Sequence, residues 1–479
     1  MLFNSVTFLF GFLPATWGAW YMAQRRWGGD AARGVLLVCS LAFYGAWNGG
    51  KDLPLLLASL AGNYGVGARL ARRPSRQLLA AAVVGNLSLL LYWKYTNFGL
   101  GVWQQLTGRH VETVELVLPL GLSFWTFQQL AYLVDCHQGK LPAGYSWGRY
   151  ALFVTFFPHL LAGPLVHHRE MVRQFERFGP GYRVRAEQAG RGLLLLAVGL
   201  VKKVLVADTL ARWVDPAFAH TETLSFYDAW TATLAYSLQL YFDFSAYSEI
   251  AMGVALLFGI ELPDNFRSPY KARDVQDFWR RWHITLGRFL RDYLYVPLGG
   301  GRRGTARAMV AAAATMLLGG LWHGAGWTFV AWGALHGALL CVFLGWKRVG
   351  FPLPSPVGRG LTFLAVLLGW VMFRAATWAD AVEVYSALFG AHGLTVPPGW
   401  TALLPILGKV VEARHSTIYS GGEILALLAL LSFLMRAPSA GEVSRSHRPS
   451  LRSALAVAGA LASAVFFLGQ PTAYLYLGY

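Results

Sequence analysis

The chain has 479 residues, of which 55% are hydrophobic and only 14% are charged, whereas soluble domains carry about a quarter charged residues. This deficit excludes a soluble enzyme of this size and indicates an integral membrane protein. The formal net charge is +17. A nucleic-acid-binding protein would gather basic residues in a patch on a soluble domain. Here they lie between apolar runs, which favours the positive-inside arrangement of cytoplasmic loops.

The first 24 residues contain no charged side chain, and Arg25 and Arg26 follow them. A cleaved secretory signal would begin with basic residues and end at a small-residue cleavage site, so we predict an uncleaved first span. A spanning helix needs about 20 apolar residues, and several stretches are shorter, so we predict about 11–13 true spans together with re-entrant segments. The candidate spans are 4–23, 34–48, 53–70, 78–95, 115–134, 148–166, 190–207, 227–242, 244–260, 308–323, 326–346, 358–375, 421–436 and 452–470.

Positive charge alternates between the early loops. The first and third loops are rich in arginine, whereas the second and fourth have few basic residues. Because Lys and Arg concentrate in short cytoplasmic loops, we predict an N-terminus on the outer, periplasmic side. The basic segment 167–189 is predicted to be an interfacial helix. The arginines of the two rich loops are Arg25, Arg26, Arg33, Arg69, Arg72, Arg73 and Arg76.

The charged and aromatic segment 277–295 is predicted to form one amphipathic helix. Trp279, Trp282 and His283 would share a face of this helix, because they lie three and four residues apart. Arginines recur on another face, as is typical of a helix in the headgroup region. An interfacial helix does not explain a histidine beside two tryptophans, so His283 is a candidate site residue.

A second histidine lies at membrane depth. The stretch 308–346 contains no Asp, Glu, Lys or Arg, and it includes His323 among several glycines. Glycines permit a helix break or a close approach of backbone, and an ionisable residue inside the membrane indicates a functional site. The alternative is a histidine that only packs helices together. His336 follows in a smooth apolar helix and is interpreted as a packing or supporting residue.

Asp243 lies between two apolar runs, where its carboxylate would either orient an imidazole, pair with a loop arginine, or mark a helix break.

In the segment 156–170, Pro158 and Pro164 predict a broken helix. The chain lacks the spacings of zinc and nucleotide motifs, so we predict no metal site. Imidazole is a general base near neutral pH. The residues alone are therefore compatible with acyl transfer to a hydroxyl or with proton-coupled transport.

The chain strongly resembles the membrane-bound O-acyltransferase family in two segments. They are Phe-Trp-Arg-Arg-Trp-His at 278–283 and Tyr-Leu-Tyr-Val-Pro-Leu-Gly-Gly at 293–300. Within this family the chain looks like the bacterial branch that includes the alginate O-acetylase membrane subunit and the teichoic-acid D-alanyl transfer protein. The family's invariant histidine falls on His323, within a matching motif Gly-Leu-Trp-His-Gly-Ala-Gly-Trp at 320–327. The second histidine of the bacterial branch falls on His283. Further matches lie at 121–129, 156–164, 239–247 and 262–270.

The resemblance runs to about residue 375 and implies one membrane-embedded domain, with an acyltransferase-like core at 1–375 and a variable region at 376–479. It implies an all-α ring of spanning and re-entrant helices around a central tunnel. His323 and His283 would be catalytic, and no cofactor would be bound, since acetyl-CoA or another acyl thioester is the donor substrate. The residues expected to line the tunnel or bind substrate are Asp243, Tyr241, Ser245, Trp279, Arg280, Arg281, Trp282, Arg288, Trp322 and His336.

The expected activity is transfer of an acetyl group across a bacterial inner membrane to an exported polysaccharide. Expected partners are membrane lipids, a periplasmic acyl-relay or acetyltransferase protein and the polysaccharide, but no nucleic acid. Three alternatives remain: acyl or D-alanyl transfer to teichoic acid or peptidoglycan, a non-catalytic acyl-group transporter, and a structural subunit. No internal repeat is visible, which counts against many transporter folds.

Overall fold

The computed structural model describes residues 1–141, 145–403, 412–413, 418–469 and 474–475. Residues 404–411 and 414–417 of the predicted variable region 376–479 therefore lie outside the described residues. The described chain is mostly helical, as predicted. The first ten α-helices are α1 (Leu13–Trp27), α2 (Gly29–Gly45), α3 (Leu53–Arg72), α4 (Arg76–Thr107), α5 (Leu122–His137), α6 (Trp147–Thr155), α7 (Phe157–Leu160), α8 (His168–Phe175), α9 (Ala186–Val201) and α10 (Asp208–Ala219).

The remaining helices follow a long central one. They are α11 (Phe226–Leu257), α12 (Val275–Trp279), α13 (Ile284–Leu290), α14 (Thr305–His323), α15 (Trp327–Val349), α16 (Ser355–Arg374), α17 (Trp378–Leu388), α18 (Pro398–Leu403), α19 (Glu423–Arg436), α20 (Ala440–Ser446) and α21 (Leu451–Phe466). A short parallel pairing joins β1 (Thr395–Val396) to β2 (Glu412–Ala413). Wider π-helical turns occur at Thr7–Phe12, Lys202–Ala207 and Arg291–Tyr295, and 3-10 turns occur at Asn48–Gly50, Thr221–Thr223 and Pro269–Lys271.

Four helices in the described part are long and apolar enough to cross a bilayer, namely α4, α14, α15 and α16. A fifth candidate is the pair α19 and α20, which bends by 43°. The other predicted spans fall on helices that are shorter, less apolar or broken. These features agree with a polytopic protein in which spanning and incomplete helices are mixed.

Several predicted boundaries are corrected. The two spans predicted at 227–242 and 244–260 form the single helix α11, which runs through Asp243 without a break. The predicted span 115–134 is helical only from Leu122. The break predicted around Pro158 is confirmed, because α6 ends at Thr155 and α7 begins at Phe157. Proline fits at the start of α7, where its missing N–H is not needed by the helix.

The described chain divides into two compact units, unit 1 (1–200, 247–264 and 444–479) and unit 2 (201–246 and 265–443). Within unit 1, buried amides join three helices: Asn63 donates to Gln129 at 2.7 Å and exchanges hydrogen bonds with Asn86. Such paired amides stabilise helix packing where lipid cannot satisfy them. Helix α4 leaves large apolar side chains exposed, including Val84 and Leu91, as expected for a surface that faces lipid.

Within unit 2, α14 and α15 pack at very short range. A Cβ atom on Gly320 would lie 2.4 Å from the carbonyl oxygen of Phe329, and one on Gly333 would lie 2.6 Å from that of Met316. Only glycine permits this approach, as in other small-residue helix contacts in membranes. The glycines were predicted to permit a helix break or a close backbone approach, and both occur: Gly320 lies inside α14 at the close contact, and the break follows at 324–326.

Candidate functional site

His323 is the last residue of α14, and the backbone turns extended at Gly324 immediately after it. Its side chain is 7% exposed. The imidazole packs edge-on against Trp332 of α15 and Phe373 of α16, with ring centroids 5.2 and 5.1 Å away, and against Trp322 at 4.8 Å. The close approach of α14 and α15 thus places an imidazole at a helix end inside an aromatic pocket.

His336 lies one turn after Trp332 in α15 and is fully buried. Its ring packs against Trp332 at 4.8 Å and Trp279 at 5.1 Å. Among the described residues, neither of its ring nitrogens has a hydrogen-bond partner. These contacts are those of a side chain packed between aromatic rings, and the supporting role of His336 remains a prediction.

The segment predicted as one helix over 277–295 is three pieces. Helix α12 ends at Trp279, and His283 has a left-handed backbone with φ of 43°. Helix α13 starts after it and passes into the π-helical turn Arg291–Tyr295. The proposed shared face of the two tryptophans and His283 is therefore wrong. A left-handed residue cannot continue a right-handed helix, and for a residue other than glycine it marks local strain, which is concentrated at functional sites.

The left-handed turn is stabilised by backbone pairing with the segment before α12. The Arg267 N–H donates to the Arg281 carbonyl, and the Ile284 N–H donates to the Asn265 carbonyl, each at 3.0 Å. His283 is 1% exposed. Its Nδ1 lies 3.0 Å from Oδ1 of Asn265, and its ring stands edge-on to Phe244 at 4.7 Å. His283 lies outside the four spanning helices, and burial lowers the pKa of its imidazole, which favours the neutral ring.

A continuous set of aromatic rings connects the neighbourhoods of the two histidines within unit 2. Phe266 packs on Trp282 at 5.1 Å, Trp282 packs on Trp370 at 4.9 Å, and Trp370 stacks on Trp332 at 6.0 Å. Trp332 is in turn the neighbour of His323. Two residues that the sequence did not single out, Trp332 and Trp370, therefore form the centre of this cluster.

Asp243 is buried in the middle of α11 and pairs with Lys203, whose Nζ lies 2.8 Å from Oδ1. The same Nζ lies 2.9 Å from Asp208. The adjacent Lys202 contacts Ser245 at 3.2 Å and lies 5.4 Å from the ring centre of Tyr241. Sequence reasoning missed both lysines. Two lysines inside the apolar run 190–207 are unusual, and this feature could have identified them from the sequence.

The three arginines expected to line the tunnel or bind substrate differ in their surroundings. Arg281, two residues beyond the end of α12, donates to Asp277 at 2.8 Å. Arg280 is exposed and donates to Gln276 at 3.0 Å. Arg288 is partly buried on α13. Across the described residues, no group of three His, Cys, Asp or Glu side chains is arranged to hold a metal ion.

Residues 79–350 match the sequence profile of the membrane-bound O-acyltransferase family. The chain is 38% identical to the peptidoglycan O-acetyltransferase of Helicobacter pylori, over 91% of this chain and 89% of that protein. It is 39% identical to the probable alginate O-acetylase of Pseudomonas aeruginosa, over 91% of this chain and 82% of that protein. The teichoic acid D-alanyltransferase of Bacillus subtilis is more distant, at 26% identity over 53% of this chain and 66% of that protein.

Proposed function

The chain belongs to the membrane-bound O-acyltransferase family, and on this premise we propose that it transfers acetyl groups to hydroxyls of an exported polysaccharide. The family and the extent of similarity to two O-acetylating proteins support this activity. The observation that carries the proposal is the position of His323, a buried imidazole where a helix ends in an aromatic pocket.

The proposed reaction needs one base and no bound metal. An imidazole nitrogen of His323 takes the proton of the acceptor hydroxyl, and the oxygen attacks the carbonyl carbon of the thioester. The C–O bond forms, the C–S bond breaks, and the thiolate leaves and takes up a proton. His283 assists this reaction, either by orienting the thioester carbonyl or by helping to move the proton. The aromatic rings around both histidines would exclude bulk water, which competes with the acceptor.

The proposed donor is acetyl-CoA on the cytoplasmic side, where the arginines of the 277–295 segment would bind its phosphates, since guanidinium suits phosphate geometry. The proposed location is a bacterial inner membrane with a periplasmic N-terminus. The acceptor would be the polysaccharide itself or a periplasmic protein that relays the acetyl group. Asp243, Tyr241 and Ser245 would support the substrate path through their contacts with Lys202 and Lys203.

The test is acetyl transfer by the purified chain in lipid nanodiscs. Radiolabelled acetyl-CoA is supplied with peptidoglycan fragments or uronate oligomers, and both thiol release and labelled ester are measured. We expect His323→Ala to lose at least about 100-fold in rate, which is the usual contribution of a general base. His110→Ala is the matched control, because His110 is exposed in the loop after α4.

Full activity of His323→Ala would overturn the assigned role of this histidine. If the wild-type protein releases no thiol from acetyl-CoA with either acceptor, direct transfer to the polysaccharide fails, and the alternative of a non-catalytic acyl-group transporter is favoured. Preference for peptidoglycan fragments or for uronate oligomers would identify the acceptor class.

A further inference from the structure

The side chain of Asn265 binds three groups around His283. Its Oδ1 lies 3.3 Å from the backbone N–H of Thr285, 2.9 Å from the Thr285 hydroxyl and 3.0 Å from Nδ1 of His283. The backbone carbonyl oxygen of Asn265 accepts the N–H of Ile284. Asn265 is 1% exposed. The Asn265 side chain therefore fixes both the backbone that follows the left-handed turn and the orientation of the His283 imidazole.

The backbone N–H of Thr285 decides the orientation of the Asn265 amide. A backbone N–H can only donate a hydrogen bond, so the atom facing it must be the amide oxygen. The flipped amide would place NH₂ hydrogens against this N–H in a buried position, where two donors repel. The orientation of an asparagine amide is otherwise an assignment, but here the fixed donor determines it.

The amide oxygen in turn determines the tautomer of His283. An oxygen that faces Nδ1 at 3.0 Å can only accept, so Nδ1 must carry the hydrogen. In a neutral imidazole one nitrogen donates and the other accepts, so Nε2 of His283 carries the lone pair. Burial opposes the charged ring in which both nitrogens would donate.

This tautomer separates the two roles open to His283. Orienting a thioester carbonyl by hydrogen bonding needs an N–H donor, whereas moving a proton needs an acceptor. We propose that Asn265 is a positioning residue that holds His283 as the Nδ1–H tautomer, so that Nε2 can receive the proton that His323 takes from the acceptor hydroxyl and pass it to the leaving thiolate. This inference rests on the proposed acyltransferase function and assigns His283 to proton transfer and not to carbonyl binding.

The first test reads the tautomer directly and needs no activity. Solid-state NMR of the full chain in liposomes, with ¹⁵N-labelled histidine, distinguishes protonated from unprotonated ring nitrogens. The His283 signals are identified by their loss in His283→Gln. We expect a protonated Nδ1 and an unprotonated Nε2 at neutral pH. A protonated Nε2 with a bare Nδ1, or a ring protonated at both nitrogens, overturns the inference.

The second test compares Asn265→Asp with Asn265→Leu by acetyl-CoA turnover per folded molecule. Aspartate keeps an acceptor facing Nδ1, so we expect it to retain kcat within about tenfold of wild type. Leucine removes the acceptor, and we expect kcat to fall about 100-fold or more while KM for acetyl-CoA changes little. The matched controls are Asn97→Asp and Asn97→Leu, because Asn97 likewise fixes loop backbone, accepting the N–H of Val114 at 2.9 Å.

The outcomes separate the two proposals. A wild-type protein without turnover refutes the proposed function, and an active His323→Ala refutes the role assigned to His323. If wild type is active and His323→Ala is not, equal kcat in Asn265→Leu and wild type refutes the positioning role alone. A purely structural Asn265 would lower the amount of folded protein in both variants without the selective rescue by aspartate.

Discussion

Lys203 is 2% exposed and lies between the carboxylates of Asp243 and Asp208 in unit 2. A buried cation of this kind is tolerated because both negative partners lie within hydrogen-bonding distance, and removing one charge leaves the others uncompensated. The sequence motif containing Asp243 therefore includes a structural ion pair in addition to any role in substrate passage.

We expect Lys203→Met to lower the free energy of unfolding by about 3–5 kcal/mol, because two carboxylates lose their cation. The double variant Lys203→Met/Asp243→Leu should recover part of this loss. The measurement is the temperature at which the detergent-solubilised protein loses its monodisperse gel-filtration peak. The exposed Lys51→Met serves as control. Equal melting of Lys203→Met and wild type would contradict the importance of the ion pair.

At the scale of elements, the contact between α14 and α15 determines the geometry around His323. Gly320 lies one turn before His323, and its Cβ position is occupied by backbone of α15. Trp332, the aromatic neighbour of His323, directly precedes Gly333 at the same contact. The glycines thus place the tryptophan against the histidine by allowing the two backbones to meet.

We expect Gly320→Ala to lower both melting temperature and acetyl transfer, the latter at least about tenfold, because small displacements of reacting groups cost rate steeply. Gly360→Ala on α16 is the matched control, since a Cβ there meets nothing within 4 Å. Alanine should even favour that helix by up to about 1 kcal/mol. If Gly320→Ala and Gly360→Ala have the same effect on melting temperature and acetyl transfer, close packing at Gly320 is not required, and helix propensity alone explains the effect of both substitutions.

At the scale of the whole molecule, helix α4 offers the simplest test of how the chain is oriented in the membrane. It has 32 residues and qualifies as a span, so its two ends should lie on opposite sides of the membrane. The arginine-rich loop before it should be cytoplasmic and the loop after it periplasmic. Arg73 and Arg109 are exposed residues close to these two ends.

We therefore expect Arg109→Cys to react with a membrane-impermeant maleimide in spheroplasts and Arg73→Cys to react only in inverted vesicles. The background is a variant in which Cys39, Cys136 and Cys341 are replaced by alanine. The opposite pattern would reverse the orientation and with it the side from which acetyl-CoA is proposed to enter. Labelling of both positions from one side would show that α4 does not cross the membrane.

The amino-acid sequence by itself determined the membrane class, the helical fold, the family and the break near Pro158, because hydrophobicity, proline and motifs are local properties. It also selected His323 and His283 as candidates. Only the tertiary structure decided that α11 continues through Asp243 and that His283 lies in a left-handed turn between short helices. Lys203, Trp332 and Asn265 likewise acquire their partners through folding. The physical reason is that a buried ion pair, a glycine contact and an imidazole tautomer each depend on groups distant in the chain.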